Sequence, residues 1–177
     1  VYSSMELLEG DGFAAVLVKG HLAGDVRQRV YSRYEVRPCE PGIRVRTEMV
    51  HGGDDDVVWA NLDGFWWGGR QNWGFSPVPG VGFQHPAFGL STVNTAFRNM
   101  PFLAAASWVE PAASYATVSC SEDHLEGFQS DTVSGAGGPR KVIRPGDYLV
   151  YERIHLAANG RGVQPAADLA LDVRARL

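Results

Sequence analysis

The segment 65–86 holds the side chains best suited to binding a ligand. It reads FWWGGRQNWGFSPVPGVGFQHP and contains three of the five Trp residues of the chain. Aromatic rings offer flat faces that stack on sugar rings, while guanidinium, amide and imidazole groups hydrogen-bond to hydroxyls or a carboxylate. The predicted ligand-binding residues are Trp66, Trp67, Arg70, Asn72, Trp73, Phe75 and His85. The competing explanation is that several of these rings plug the open end of a β-sandwich.

The same segment is predicted to form a long loop. Its repeated Gly and Pro residues interrupt any continuous strand ladder, because Pro lacks a backbone donor and Gly has no side chain to pack. Long loops in compact domains are usually functional, so a glycan-binding loop at the sheet edge is the interpretation that follows.

Acid/base chemistry has weaker candidates. Glu122, Asp123, Glu126 and Asp131 cluster around His124, and two such groups in one cleft could act as acid and base. A solvated strand face explains the same residues. A mutarotase-like enzyme acting on a sugar or uronate would draw on His85, His124, Glu122 or Asp63, and this is the rival hypothesis.

No motif fixes a reaction. The five His residues show no H-x-H or H-E-x-x-H spacing, and Asp54, Asp55 and Asp56 lack the alternation of a calcium loop, which favours a solvated turn. Hydrolase, nucleotide and dinucleotide signatures are also missing. The sequence therefore predicts no catalytic residue, no metal site and no cofactor, and it points away from an enzyme.

Composition describes a folded domain. The chain has 177 residues, 45% of them hydrophobic, and a formal charge of -4. This charge gives no electrostatic basis for binding nucleic acid or an anionic bilayer, and the longest apolar run, from Phe13 to Val18, is too short to span a membrane. The 21 Gly and 10 Pro residues disfavour long helices. Cys39 and Cys120 are 81 positions apart and are either two buried thiols or one disulfide.

Strand patterns dominate the chain. Val26–Arg37 is predicted as a long half-buried strand, followed by a turn at 38–42 and a second strand from Ile43 to Val50. In this second strand Ile43, Val45, Thr47 and Met49 face one way, and Arg44, Arg46 and Glu48 face the other. Further strands are expected at 57–60, 102–109, 115–120, 125–131 and 148–156. Ala166–Leu177 is rich in Ala, Leu and Arg and is predicted as a C-terminal helix.

These elements predict an all-β fold. The expected architecture is an antiparallel β-sandwich, supersandwich-like, with a short C-terminal helix. We expect a single domain over 1–177, in which 160–177 forms a helical tail or linker.

The run RVYSRYEVRPCEPGIRVRTEMVHGGDDDVVWANLDGFWWGG at 29–69 resembles the first half of a galactose-mutarotase-like supersandwich. With RPGDYLVYER at 144–153 it also resembles β-sandwich modules of large secreted bacterial multidomain proteins. The resemblance implies this fold and affinity for sugars. Aldose epimerases of this fold carry a catalytic His in an H-x-Y-F motif, and the matching position here reads Leu62-Asp63-Gly64-Phe65-Trp66, so the reaction is not implied.

The leading hypothesis is a non-catalytic module of a larger extracytoplasmic bacterial protein. Its expected partners are a glycan and a neighbouring domain of the same polypeptide, and neither nucleic acid nor a membrane is expected. A structural or assembly domain is a third alternative.

Overall fold

The computed structural model describes residues 1–59, 65–66, 73–78, 82–84, 93–94, 102–107, 112–120, 129–131, 135–137 and 141–177. The strands in these ranges are β1 (Tyr2–Gly10), β2 (Phe13–Leu22), β3 (Asp25–Val36), β4 (Ile43–His51), β5 (Val57–Trp59), β6 (Phe65–Trp66), β7 (Trp73–Val78), β8 (Gly82–Gln84), β9 (Val93–Asn94), β10 (Phe102–Ser107), β11 (Ala113–Ser119), β12 (Gln129–Asp131), β13 (Gly135–Gly137), β14 (Lys141–Ile143) and β15 (Tyr148–Asn159), and the helix is α1 (Gln164–Arg174).

A long antiparallel sheet organises the molecule. Its strand order is β1-β2-β3-β4-β15-β11-β10-β7-β8, so that β15 returns from the C-terminal part of the chain to lie between β4 and β11. A four-stranded sheet, β6-β13-β12-β9, and the pair β14-β5 complete the β-structure. The predicted antiparallel β-sandwich with a short C-terminal helix is confirmed.

The hairpin of β3 and β4 follows the sequence pattern. Glu35 pairs with Arg44 and Val30 with Met49, which fixes the register of the two strands. Gly42 ends the connecting turn at φ 133, and a Cβ there would lie 2.4 Å from the carbonyl oxygen of His155. Only glycine fits this close approach of two backbones.

The core has two parts on opposite faces of the long sheet. Helix α1 buries Ala166, Ala170 and Val173 against residues of β10, β11 and β15 such as Val118 and Ile154. On the other face, Met49 and Tyr151 pack with Ile143 of the small β14-β5 sheet. The predicted helix therefore exists, although it begins at Gln164, one residue before Pro165, and ends at Arg174.

Some expectations from the sequence need correction. Strand β1 was not predicted. The segment 65–86 is not a continuous loop, because it contributes β6, β7 and β8. Within the described residues, the pairing of β7 with β10 involves Trp73 and Phe75 and ends before Pro77, which lies opposite Phe83 of β8, so the missing donor of Pro77 interrupts no β7–β10 pair.

The two cysteines are free thiols rather than a disulfide. Cys39 is exposed, which the expectation of two buried thiols did not foresee. Cys120 packs beside the helix side of the core, and burial raises the pKa of its thiol to about 12.

Candidate functional site

The strands β2, β3, β4 and β15 present a charged face to solvent. Residues opposite one another in an antiparallel pair point to the same side of the sheet. Arg33 lies opposite Arg46, Glu35 opposite Arg44, and Arg46 opposite Glu152. The alternation within β3 and β4 therefore places Arg and Glu side chains of three strands side by side, while Val45, Thr47 and Met49 point into the core behind them.

Three neighbouring recesses on this face share lining residues, and together we call them the charged groove. The first recess has a volume of about 410 Å³ and the second about 350 Å³, and they share Arg33, Arg46 and Glu48. The third, of about 260 Å³, shares Arg37 and Arg44 with the second. Because neighbouring strands are about 4.8 Å apart, the part of the groove from β2 to β15 is roughly 14 Å across.

The first recess is amphipathic. Leu8 of β1 and Leu17 of β2 supply apolar surface, and Tyr31 of β3 supplies an aromatic ring. Lys19, Arg33, Arg46 and Glu48 provide the polar rim. This combination of an apolar surface with a few converging polar groups is typical of small-molecule sites.

The middle of the groove is an ion-pair network. The carboxylate of Glu35 is only 4% exposed and is paired with both Arg33 and Arg37. Arg44, 16% exposed, joins two other acids, because its Nη2 and Nη1 donate to Glu40 and Glu152 at 2.5 Å each. The Nε of Arg46 donates to Glu48 at 2.8 Å. These pairs hold the guanidinium groups in fixed orientations.

The hydrogen bonds of Arg44 to carboxylates favour its charged form. Burial alone would lower the pKa of Arg44, but the hydrogen bonds to Glu40 and Glu152 outweigh it and raise the pKa. The guanidinium of Arg33 also lies 4.8 Å from the ring centroid of Phe13, a cation–π contact. Within the described part of the chain, the buried Nε atoms of Arg33 and Arg44 have no hydrogen-bond partner.

The third recess lies between the β3-β4 turn and the end of α1. It is lined by Arg37, Glu40, Val173 and Arg176 among others. The helix end is held against the sheet because Arg174 Nη1 donates to the carbonyl oxygen of Ser119 at 3.1 Å. Arg176 Nε donates to the carbonyl oxygen of Asp172 at 3.2 Å, which positions this side chain beside the recess.

The lining of the charged groove is more basic than the chain. Its basic members are Lys19, Arg33, Arg37, Arg44, Arg46 and Arg176. Its acidic members are Glu35, Glu40, Glu48 and Glu152. Six cations against four carboxylates give the lining a formal charge of +2, whereas the whole chain carries -4.

Histidines on the opposite face have structural roles. His51 is buried, with Nδ1 2.6 Å from Gln28 Oε1 and Nε2 2.7 Å from the carbonyl oxygen of Asp55, which ties the turn after β4 to β3. Asp54 of the same turn pairs with Arg27. Burial, together with the positive charge of Arg153, lowers the pKa of His155 to about 4. In the described ranges, no three His, Cys, Asp or Glu side chains are arranged to hold a metal ion.

The predicted ligand-binding residues are mostly beyond the described part of the chain. Trp67, Arg70, Asn72 and His85 lie outside the described residues. Trp66 belongs to β6, and Trp73 and Phe75 belong to β7, which places them in two different sheets. Of the acid/base candidates, Asp63, Glu122, Asp123, His124 and Glu126 also lie outside the described ranges, and Asp131 ends β12. The role of the segment 65–86 stays a prediction.

The charged groove was missed by reasoning from sequence. The available signal was the repeated alternation of charge in consecutive strands, RYEVR at 33–37 and RVRTE at 44–48, followed by the acid of YER at 151–153. Each run alone is typical of a solvated strand face. Only the strand order β3-β4-β15 shows that the three runs meet.

Comparison with known proteins identifies the fold. The chain matches the galactosidase domain of the α-galactosidase-sucrose kinase AgaSK with a TM-score of 0.63 and 10% identity, over 91% of this chain and 28% of that one. It matches a GH36 α-galactosidase from Geobacillus stearothermophilus, solved in complex with stachyose, with a TM-score of 0.61 and 10% identity, over 90% and 26%. The chain thus spans about a quarter of the length of each. No family model and no curated protein matches it.

Proposed function

We propose that this protein is a non-catalytic β-sandwich module of a larger protein and that it binds glycan in the charged groove. The proposal rests on three neighbouring recesses with shared lining residues, which extend from the apolar end at Leu8 and Tyr31 to the Arg-rich end at α1. Its width of roughly 14 Å exceeds one sugar ring and suits a short oligosaccharide.

The chemistry of the groove fits a sugar. A pyranose ring has an apolar face of C–H groups and a rim of hydroxyls. Tyr31, Leu8 and Leu17 can pack against the apolar face of the ring. The fixed guanidinium groups can donate hydrogen bonds to the hydroxyls, and the carboxylates can accept hydrogen bonds from them. Because the network already orients Arg33 and Arg46, these groups lose little conformational freedom when a ligand binds.

The fold relatives are compatible with a module of this kind. Both solved structures are α-galactosidases, and this chain corresponds to about a quarter of each. The mutarotase-like enzyme remains a prediction, because its acid/base candidates lie outside the described residues. The extracytoplasmic location is a prediction as well.

Packing against a neighbouring domain is a second candidate role. The edge strand β1 exposes Tyr2, Met5 and Leu7, and Val36 and Ile43 are also largely exposed. Exposed apolar side chains of this size on an edge strand are typical of a protein interface. This role is compatible with glycan binding, since Met5 and Leu7 point away from the side of the sheet that carries Leu8 and Leu17.

A glycan array with matched variants tests the proposal. Tyr31 and Tyr34 lie on the same strand and point to opposite faces, and only Tyr31 lines the groove. We expect the wild-type chain to give saturable binding, Tyr31→Ala to weaken it by about tenfold or more, and Tyr34→Ala to retain it. Both variants should first be shown by circular dichroism to be folded.

A third variant separates the two candidate surfaces. If Trp73→Ala abolishes binding while Tyr31→Ala leaves it intact, the ligand lies on the segment 65–86 and the groove proposal is wrong. A blank array for the wild-type chain would instead favour a module that only packs against other domains.

A further inference from the structure

The distribution of charge along the groove distinguishes between classes of glycan. The lining carries a formal charge of +2 in a chain whose total is -4, so the cations are concentrated where the ligand would lie. A recess with a net positive charge raises the local concentration of anions. A neutral sugar would gain nothing from this excess.

At the Leu8 end of the groove, Lys19 pairs with Glu6 at 3.1 Å, whereas Arg176, at the α1 end, forms no ion pair within the described residues. In the middle, Glu35 is enclosed by Arg33 and Arg37, and Arg44 is engaged by Glu40 and Glu152. These pairs neutralise one another. In the third recess the carboxylate of Glu40 is held by Arg44 and lies 4.0 Å from the Nε of Arg37, and the side chains of Arg37 and Arg176 both line the recess.

Arg37 and Arg176 present donors to solvent there. Each uses its Nε within the protein, Arg37 toward Glu35 and Arg176 toward the carbonyl oxygen of Asp172. Among the described residues, no acceptor takes a hydrogen bond from the Nη groups of either side chain. The side chain of Arg37 is 48% exposed, and Arg176 is exposed. Guanidinium groups with a fixed Nε and free Nη groups are well suited to bind a planar carboxylate or a sulfate.

We propose that the ligand of the charged groove is an acidic glycan, with a carboxylate or sulfate group bound by Arg37 and Arg176 in the third recess and sugar rings extending toward Tyr31. This inference rests on the proposed function and names its ligand class. Nucleic acid is the less favoured polyanion, because the chain outside the groove carries an excess of acidic side chains that repels a long phosphate backbone.

Titration calorimetry with four defined probes tests the inference. The probes are a galacturonate hexasaccharide, a chondroitin sulfate hexasaccharide, a neutral galactan hexasaccharide and a single-stranded DNA oligonucleotide. We expect at least one acidic glycan to bind at least about tenfold more tightly than the neutral one, with affinity falling as NaCl is raised from 50 to 300 mM. The two acidic probes distinguish a carboxylate from a sulfate ligand.

Charge-matched variants locate the acidic group. Arg176→Gln should weaken binding of the acidic glycan by about tenfold and leave the neutral one unchanged, since the side chain lies outside the ion-pair network. Arg37→Gln should also weaken binding of the acidic glycan, but it removes a partner of the buried Glu35 as well, so its unfolding free energy is measured alongside. Arg144→Gln, at an exposed turn position outside the groove lining, removes the same charge and should leave affinity within about twofold.

The outcomes separate the two proposals. Equal or tighter binding of the neutral galactan would overturn the acidic-ligand inference and leave glycan binding standing. Oligonucleotide binding as tight as that of the acidic glycans would also overturn it, in favour of a general polyanion site. Binding to none of the glycans would overturn both proposals.

Discussion

The two faces of β4 carry side chains of opposite character. Met49 is 0% exposed and packs with Ile143 and Tyr151, whereas its neighbour Glu48 points to solvent and pairs with Arg46. On β4 the inner face carries the buried side chains of Val45, Thr47 and Met49. On the outer face of β4, the charged side chains of Arg44, Arg46 and Glu48 are held in ion pairs.

The difference shows where stability resides. Exposed or half-exposed ion pairs contribute only about 0–1 kcal/mol each, because water screens them and ordering long side chains costs entropy. A buried side chain the size of Met49 contributes several times more. The exposed pair of Arg46 and Glu48 therefore adds little to folding compared with the burial of Met49.

Substitutions at two adjacent positions of β4 should give the largest difference in unfolding free energy between its two faces. Met49→Ala should lower the free energy of unfolding by about 3 kcal/mol, since it leaves a cavity between β4, β14 and β15. Glu48→Ala, one position away on the outer face, should change it by less than about 1 kcal/mol. Urea denaturation followed by fluorescence gives both values. Equal losses would mean that the two faces do not differ as described.

A smaller effect is expected in the pH dependence of the unfolding free energy, because His155 lies on the inner face. His155 shares a 2.9 Å hydrogen bond with Thr117, and its pKa is lowered to about 4 by burial and by the positive charge of Arg153. Because the folded pKa is below the unfolded value, the unfolded state binds the proton more readily between the two. The stabilisation is complete above the unfolded pKa of about 6.5 and is lost as pH falls toward 4.

Relative to His155→Gln, the wild-type chain should therefore lose about 2 kcal/mol of unfolding free energy between pH 7 and pH 5. Urea unfolding at several pH values, compared between the two proteins, measures this difference. Parallel curves for the two proteins would show that His155 does not titrate in the way its burial implies.

The smallest expected contrast is in the chemical reactivity of the two cysteines, and it involves no change in the stability of the protein. Cys39 is exposed beside the third recess, whereas Cys120 packs against the core with a pKa raised to about 12. Iodoacetamide at pH 8 should modify Cys39 readily and Cys120 only after denaturant is added, because the thiolate is the reacting species. Mass spectrometry of tryptic peptides identifies the modified thiol, and early modification of Cys120 would contradict its burial.

Local pattern was sufficient to predict much of the fold. The alternation in Ile43–Val50 predicted both the strand and its two faces, and the Pro and Gly residues at 38–42 predicted the hairpin turn. Strand β1 was missed because YSSMELLEG lacks a clear period of two, and its place at the sheet edge comes from pairing with β2.

The charged groove was harder to predict from the sequence, because its residues are far apart in the chain. Arg44 and Glu152 are 108 positions apart, and their contact depends on β15 inserting beside β4. No local feature of the sequence encodes that strand order. The aromatic segment 65–86, in contrast, drew attention by composition alone, which describes what side chains can do but not where the sheet places them.

Hydrogen–deuterium exchange with and without a galacturonate hexasaccharide tests the central claim most directly. We expect slower amide exchange in β3, β4, the 38–42 turn and the end of α1 when the hexasaccharide is added. Unchanged exchange in these elements, with protection confined to the segment 65–86, would contradict the assignment of the charged groove as the binding surface.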